Sequence, residues 1–91
     1  MWVIKEHKTK AKKVIDKAPK QIQSKYTFWK QLIQNDGPKA VRAVPGFNDH
    51  GLKGEWKGYR SSSLNDLYRV IYSIERQEVT VYVEKIGPHN Y

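Results

Sequence analysis

Ninety-one residues, a net charge of +8 and the absence of cysteine describe one small basic domain, 1–91, and exclude a disulfide scaffold, a thiolate metal site and a cysteine nucleophile. An apolar content of 38%, with three Trp and six Tyr, is too high for a disordered chain. The charge is uneven: residues 1–30 hold nine lysines against Glu6 and Asp16, a net +7, whereas residues 31–91 are nearly balanced. Such a positive pole suits a polyanionic partner, whether nucleic acid, an acidic protein or an anionic membrane; its plainest reading is a solvated helix face.

The chain opens with Trp2 and Ile4 alternating with Val3 and Lys5, a short strand. Charge returns after four residues, so no secretory signal is expected, and no run approaches the ~20 apolar residues of a membrane span. The expectation is a cytoplasmic protein with no membrane partner. From His7 to Lys17 the period becomes helical, with Ala11, Val14, Ile15 and Ala18 on one stripe and lysines around it. Pro19 interrupts, and a second helix follows with Ile22, Tyr26, Trp29, Leu32 and Ile33 inward. It ends at Asn35-Asp36-Gly37-Pro38. The two segments predict a helical hairpin.

Residues 38–55 predict a long loop, with Ala40, Val41 and Val44 suited to one helical turn. Three strands follow: Tyr59 to Leu64, Leu67 to Ile74 and Val79 to Ile86. A two-residue turn at Arg76-Gln77 pairs Ile74 with Val79, Tyr72 with Val81 and Val70 with Val83 on the core face. The opposite face carries Arg69, Ile71, Ser73, Thr80, Tyr82 and Glu84, open to water or a ligand. The order β-α-α-β-β-β, an N-terminal strand and helix pair against a C-terminal antiparallel sheet, makes the fold α+β.

There is no P-loop, dinucleotide-binding glycine fingerprint or HExxH motif, and three scattered histidines without cysteine make a poor zinc set, so neither metal nor cofactor is expected. What remains is a basic and aromatic group: Lys57, Tyr59, Arg60, Arg69, Tyr82, His89 and Tyr91, with His50 and Glu55 upstream. RNA cleavage without a metal needs a base for the 2′-OH, an acid for the leaving 5′-oxygen and cations on the phosphorane, and these are suitable types; aromatic rings also stack on splayed bases. Each has a duller reading. Arg69 is placed to pair with Glu84 across the hairpin, Tyr82 to pack beside Ile71, His89 to be solvated near the end of the sequence and His50 to sit in a turn. Lys57 and Arg60 read equally as surface charges.

The stretch from Gly51 to Ile74, with Leu52-Lys-Gly54, Gly58-Tyr-Arg60 and Tyr68-Arg-Val-Ile-Tyr72, followed by Pro88-His-Asn-Tyr91, resembles the signature of the RelE/ParE toxin superfamily. The likeness spans residues 45–91, and the N-terminal β-α-α order agrees with that family's fold. It implies a RelE-like fold and the toxin role in a type II toxin–antitoxin system. Two activities share the fold: metal-independent cleavage of mRNA in the ribosomal A site, and poisoning of DNA gyrase. A non-toxic basic RNA-binding domain is the third alternative. The residues favour the mRNA interferase branch, similar to RelE, YoeB, YafQ and HigB. Arg69 matches an arginine that holds the scissile phosphate there, and Arg60 falls where RelE has a catalytic-site lysine. His89 matches a terminal acid or base, Tyr91 lies near a terminal tyrosine, His50 matches a histidine before the Leu-x-Gly turn, and Glu55 stands for a glutamate. Ser62 replaces a second family lysine, and Ile86-Gly-Pro-His offers no later arginine; no helix is expected after Tyr91. The resemblance implies ribosome, rRNA and mRNA as partners with a cognate antitoxin. Lys8, Lys12 and Lys13, with Lys57, Tyr59 and Tyr82, are the expected RNA-binding groups.

Overall fold

A computed structural model describes residues 2–85, without the side chain of Lys85. Strand β1 (Val3–Glu6) leads into a π-helical turn (Lys8–Lys12), a short helix α1 (Lys13–Asp16) and the long helix α2 (Lys20–Asp36). Helix α3 (Pro38–Arg42) and a 3₁₀ turn (Pro45–Phe47) precede the two-residue strand β2 (His50–Gly51). A second 3₁₀ turn (Gly54–Trp56) is followed by β3 (Arg60–Ser63), β4 (Tyr68–Glu75) and β5 (Glu78–Lys85).

The α+β class is as expected, but the sheet is mixed rather than antiparallel. Its order is β1-β5-β4-β3-β2, with β1 parallel to β5 at one edge and the unforeseen β2 at the other. The hairpin register matches the hydrophobic alternation: Ile74 faces Val79, Tyr72 faces Val81, Val70 faces Val83 and Arg69 faces Glu84. Its turn takes Arg76 to φ 59°, a left-handed conformation in which Gly or Asn is the commoner choice.

The single helix expected over 7–17 begins differently. His7 caps the segment through Nδ1, which accepts the Lys10 backbone N–H at 3.0 Å, while the His7 carbonyl accepts from both Ala11 and Lys12. Accepting from Lys12, five residues on, widens the first turn to π geometry. Ala11 and Ala18 are buried, and Val14 and Ile15 pack at the core margin.

Helix α2 lays Ile22, Tyr26, Trp29 and Ile33 on one face of the sheet, against Val70, Tyr72, Val79, Val81 and Val83. Gly37 ends it at φ 83°, and a Cβ there would lie 2.7 Å from Trp2 Nε1, so glycine serves both the cap and the close approach. Trp29 is fully buried, and its Nε1 donates to Ser62 Oγ at 3.0 Å, giving the indole its polar partner inside the core. In the predicted loop, Gly37 and Pro38 start α3 and Phe47 seals the core beneath the chain leading to β2. Among the described residues no helix is long and apolar enough to cross a membrane.

Candidate active site

Strand alternation decides which predicted residues can meet. Arg69 shares its face of the sheet with Ser63 and Glu84, its direct neighbours on β3 and β5. One step along, Ile71 faces Ser61 and Tyr82, and Ser61 in turn faces His50 on β2. His50, Ser61, Ser63 and Arg69 thus line one open cleft of about 500 Å³. His50 is exposed, and its Nδ1 lies 2.8 Å from the Asn48 carbonyl. A carbonyl only accepts, so Nδ1 carries the hydrogen and Nε2 of the neutral ring keeps its lone pair toward solvent. Arg69 Nη2 donates to Glu84 Oε1 at 3.0 Å, the expected cross-strand pair, while Arg69 Nε is buried with no partner among the described residues.

Arg60, expected at the place of a catalytic-site lysine, does not meet Arg69: it pairs directly with Tyr72 and shares the helix-facing side of β3 with Ser62. Its Nε donates to Asp49 Oδ1 at 2.7 Å. The Asp49 carboxylate is fully buried, and its Oδ2 also accepts from Ser62 Oγ and Tyr72 OH, both at 2.5 Å. Partial burial pulls the Arg60 guanidinium down, but the hydrogen bond and charge of Asp49 outweigh that and hold it above its ordinary value. Burial, then the bond to Asp49, drives the Tyr72 phenol well above its usual range. This network is scaffold chemistry: it clamps β3, β4 and the chain entering β2, and so sets His50 on the other face. Sequence reasoning missed Asp49; the available signal was its place beside His50, since neighbours on an extended segment point to opposite sides.

The second face of the sheet is less open than its polar residues suggested. Ile71 is fully buried there, and the Tyr82 and Trp56 rings sit 6.3 Å apart, with Tyr59 5.1 Å from Trp56 and 6.3 Å from Tyr82. Tyr59 and Tyr82 therefore do come together. Trp56, the member of the trio not singled out beforehand, lies between Gly54 and Gly58 in the Gly51–Ile74 stretch, where a tryptophan among turn-forming glycines was the available signal, and it is exposed. Glu55 and Lys57 flank it, exposed, and line neither the Arg69 cleft nor the cleft beside Tyr82. Lys8, Lys12 and Lys13 are exposed around the π-helical turn. His89 and Tyr91 lie outside the described residues. Among the described residues, no three His, Asp or Glu side chains group to hold a metal ion.

A five-stranded mixed sheet backed by a helix pair is the RelE-like toxin fold. Among solved structures, that of YafQ from E. coli strain BL21(DE3) superposes with a TM-score of 0.73 at 19% identity, covering 93% of each chain. The YoeB–YefM complex from Staphylococcus aureus gives 0.72 at 18% identity over 96% of this chain and 98% of that one. The E. coli DinJ–YafQ toxin–antitoxin complex gives 0.71 at 21% identity over 92% and 91%. No protein-family model matches the chain, and no curated protein sequence matches it. The likeness is one of fold.

Proposed function

We propose that this chain is the toxin of a type II toxin–antitoxin pair and that it cleaves mRNA on the ribosome. The observation that carries the reading is the shared cleft of His50 and Arg69: a ring nitrogen with a free lone pair and a guanidinium whose Nε–H has no partner among the described residues line the same cleft. A base and an anion-stabilising cation lining one cleft are parts that transesterification of RNA requires.

In this reading His50 Nε2 takes the proton of a ribose 2′-OH. The 2′-oxygen forms its bond to the adjacent phosphorus as the bond from phosphorus to the 5′-oxygen breaks in line. His89 gives a proton to the departing 5′-oxygen, leaving a 2′,3′-cyclic phosphate and a 5′-hydroxyl. Arg69 neutralises the phosphorane, and Tyr91 stacks or assists. Tyr59 and Tyr82 hold bases, and the lysines of the π-helical turn seat the protein on ribosomal RNA. The solved relatives in complex with YefM and DinJ support an antitoxin as the natural partner; an acidic one suits a chain of charge +8. The cytoplasm is the matching location.

Primer extension on mRNA from cells expressing the chain tests this. Codon-phased cuts are expected for the wild type and their loss for Arg69→Ala, His50→Ala and His89→Ala, each folded by circular dichroism. Wild-type cutting by an Arg69→Ala/His50→Ala double variant would overturn the site. DNA breaks with intact message would instead indicate a gyrase poison, and unaffected growth a non-toxic RNA-binding domain.

A further inference from the structure

A second cleft, about 370 Å³ in volume, opens beside the Arg69 cleft on the same face, between the sheet and the π-helical turn. Trp56, Ile71, Tyr82 and Val14 give it apolar walls, while Lys10 and Glu84 stand at its rim. Its aromatic side is held in place before anything enters. The Tyr82 ring is flanked by His7 at 5.2 Å and Trp56 at 6.3 Å, and Trp56 meets Tyr59 nearly edge-on at 85°. Trp56 nevertheless keeps 36% of its surface exposed, so an indole face remains available. Flat apolar walls of this kind accept a planar ring, and stacking is insensitive to which base supplies it.

Glu84 supplies the selection. Its Oε1 accepts one bond from Arg69 and keeps a second lone pair, and among the described residues Oε2 accepts no hydrogen bond. A carboxylate only accepts, so it favours a ring edge made of N–H donors and disfavours one made of carbonyl oxygens. Of the RNA bases, guanine places two donors, N1–H and N2–H, side by side at the spacing of carboxylate oxygens. Uracil places one N–H between two carbonyls. An acidic peptide fits poorly, because Glu84 would face it.

We infer that the Trp56–Tyr82 cleft holds one guanine base of the RNA strand next to the linkage at Arg69, with Glu84 reading its Watson–Crick edge. This deepens the RNA-cleaving reading and rests on it for the position of the strand. Because Glu84 also holds Arg69, a correctly read base and a correctly aimed guanidinium share one carboxylate. Lys10, at the cleft rim, meets the flanking phosphate.

The test uses short 2′-O-methyl RNA oligonucleotides, which bind but offer no 2′-OH for attack, differing only in one central base. Binding is followed by tryptophan fluorescence and by the Trp56 indole N–H resonance, identified with Trp56→Phe. The expectation is that the guanine oligonucleotide binds roughly tenfold more tightly than the uracil one, and that Trp56→Ala weakens guanine binding about tenfold. Glu84→Gln, which keeps an acceptor for Arg69 but replaces the other oxygen by a donor, should abolish the preference while uracil binding persists. Equal affinity for guanine and uracil, or wild-type binding by Trp56→Ala, overturns the inference. Codon-phased cutting that persists without guanine binding removes this cleft assignment alone. Guanine binding at the Trp56 resonance with no cutting removes the nuclease reading alone.

Discussion

Arg60 Nε and Asp49 Oδ1 meet at 2.7 Å on the helix-facing side of β3, while Arg69, nine residues further along, faces the opposite side. Two arginines that look alike in the sequence thus lie on opposite sides of the sheet.

Substitution should separate them. Arg69→Ala removes an ion pair whose partners are both partly exposed, so stability should change by less than about 1 kcal/mol. If Arg69 binds the scissile phosphate, cleavage should fall by about 100-fold or more. Arg60→Ala should do the reverse, lowering the urea midpoint while cleavage by the folded fraction stays within about threefold of wild type, well short of the loss from removing a transition-state donor. Paired urea titrations and cleavage assays check both.

Asp49 carries the larger structural load. Asp49→Ala leaves the Ser62 and Tyr72 hydroxyls without their acceptor and the Arg60 guanidinium without its counter-charge. A loss of about 3 kcal/mol is expected, in the range for breaking a buried, hydrogen-bonded charge. Equilibrium unfolding in urea measures it, and an unchanged slope with a lowered midpoint would show that the loss is in the folded state.

Alkali should unfold the protein early. Burial, followed by the Glu6 hydrogen bond, raises the Tyr26 phenol, as burial and Asp49 raise Tyr72. The fold keeps both phenols protonated, whereas the unfolded chain releases those protons near pH 10. Their contribution is complete below that pH and is lost as pH climbs toward the raised folded values, at up to about 2.7 kcal/mol per pH unit for two groups. Thermal melts from pH 8 to 11 should show the decline, and Tyr72→Phe should flatten it.

The lysines of the π-helical turn should govern salt dependence. Replacing Lys8, Lys12 and Lys13 with alanine should weaken binding to RNA oligonucleotides without altering base preference. The slope of log K against log salt should fall by about 2, the amount expected for three phosphate contacts on a single strand. An unchanged slope would place the RNA elsewhere.

Much of the scaffold was legible because it follows local rules. Val70, Tyr72, Val79, Val81 and Val83 recur at every second position around the Arg76-Gln77 turn, so the hairpin register follows from the sequence. Ile22, Tyr26, Trp29 and Ile33 marked the buried stripe of α2 in the same way. The parallel pairing of Val3 with Glu78 was not legible, since no short-range pattern reports which distant strand an edge residue will choose. The Arg69–Glu84 pair followed from the register, and His50 and Arg69 were both named from the sequence. The side of β3 that Arg60 takes was not legible, because residue type says nothing about which face of a strand it occupies until the register is known. Asp49 was passed over for a related reason: a carboxylate in an Asn-Asp-His-Gly run reads as a turn residue, and only burial turns it into a hub.

The parallel edge strand also bears on how the chain assembles. Val3 bonds through its backbone N–H to the carbonyl of Gln77, and Ile4 lies beside Val79, so β1 finds no neighbour until β5 exists. During synthesis the first strand must wait, unpaired, while the helices and the inner strands are made. Such long-range closure is slow compared with forming the hairpin. The nascent chain therefore passes through a stage with its leading strand undocked, a window in which another polypeptide that binds early can reach surfaces the finished fold hides.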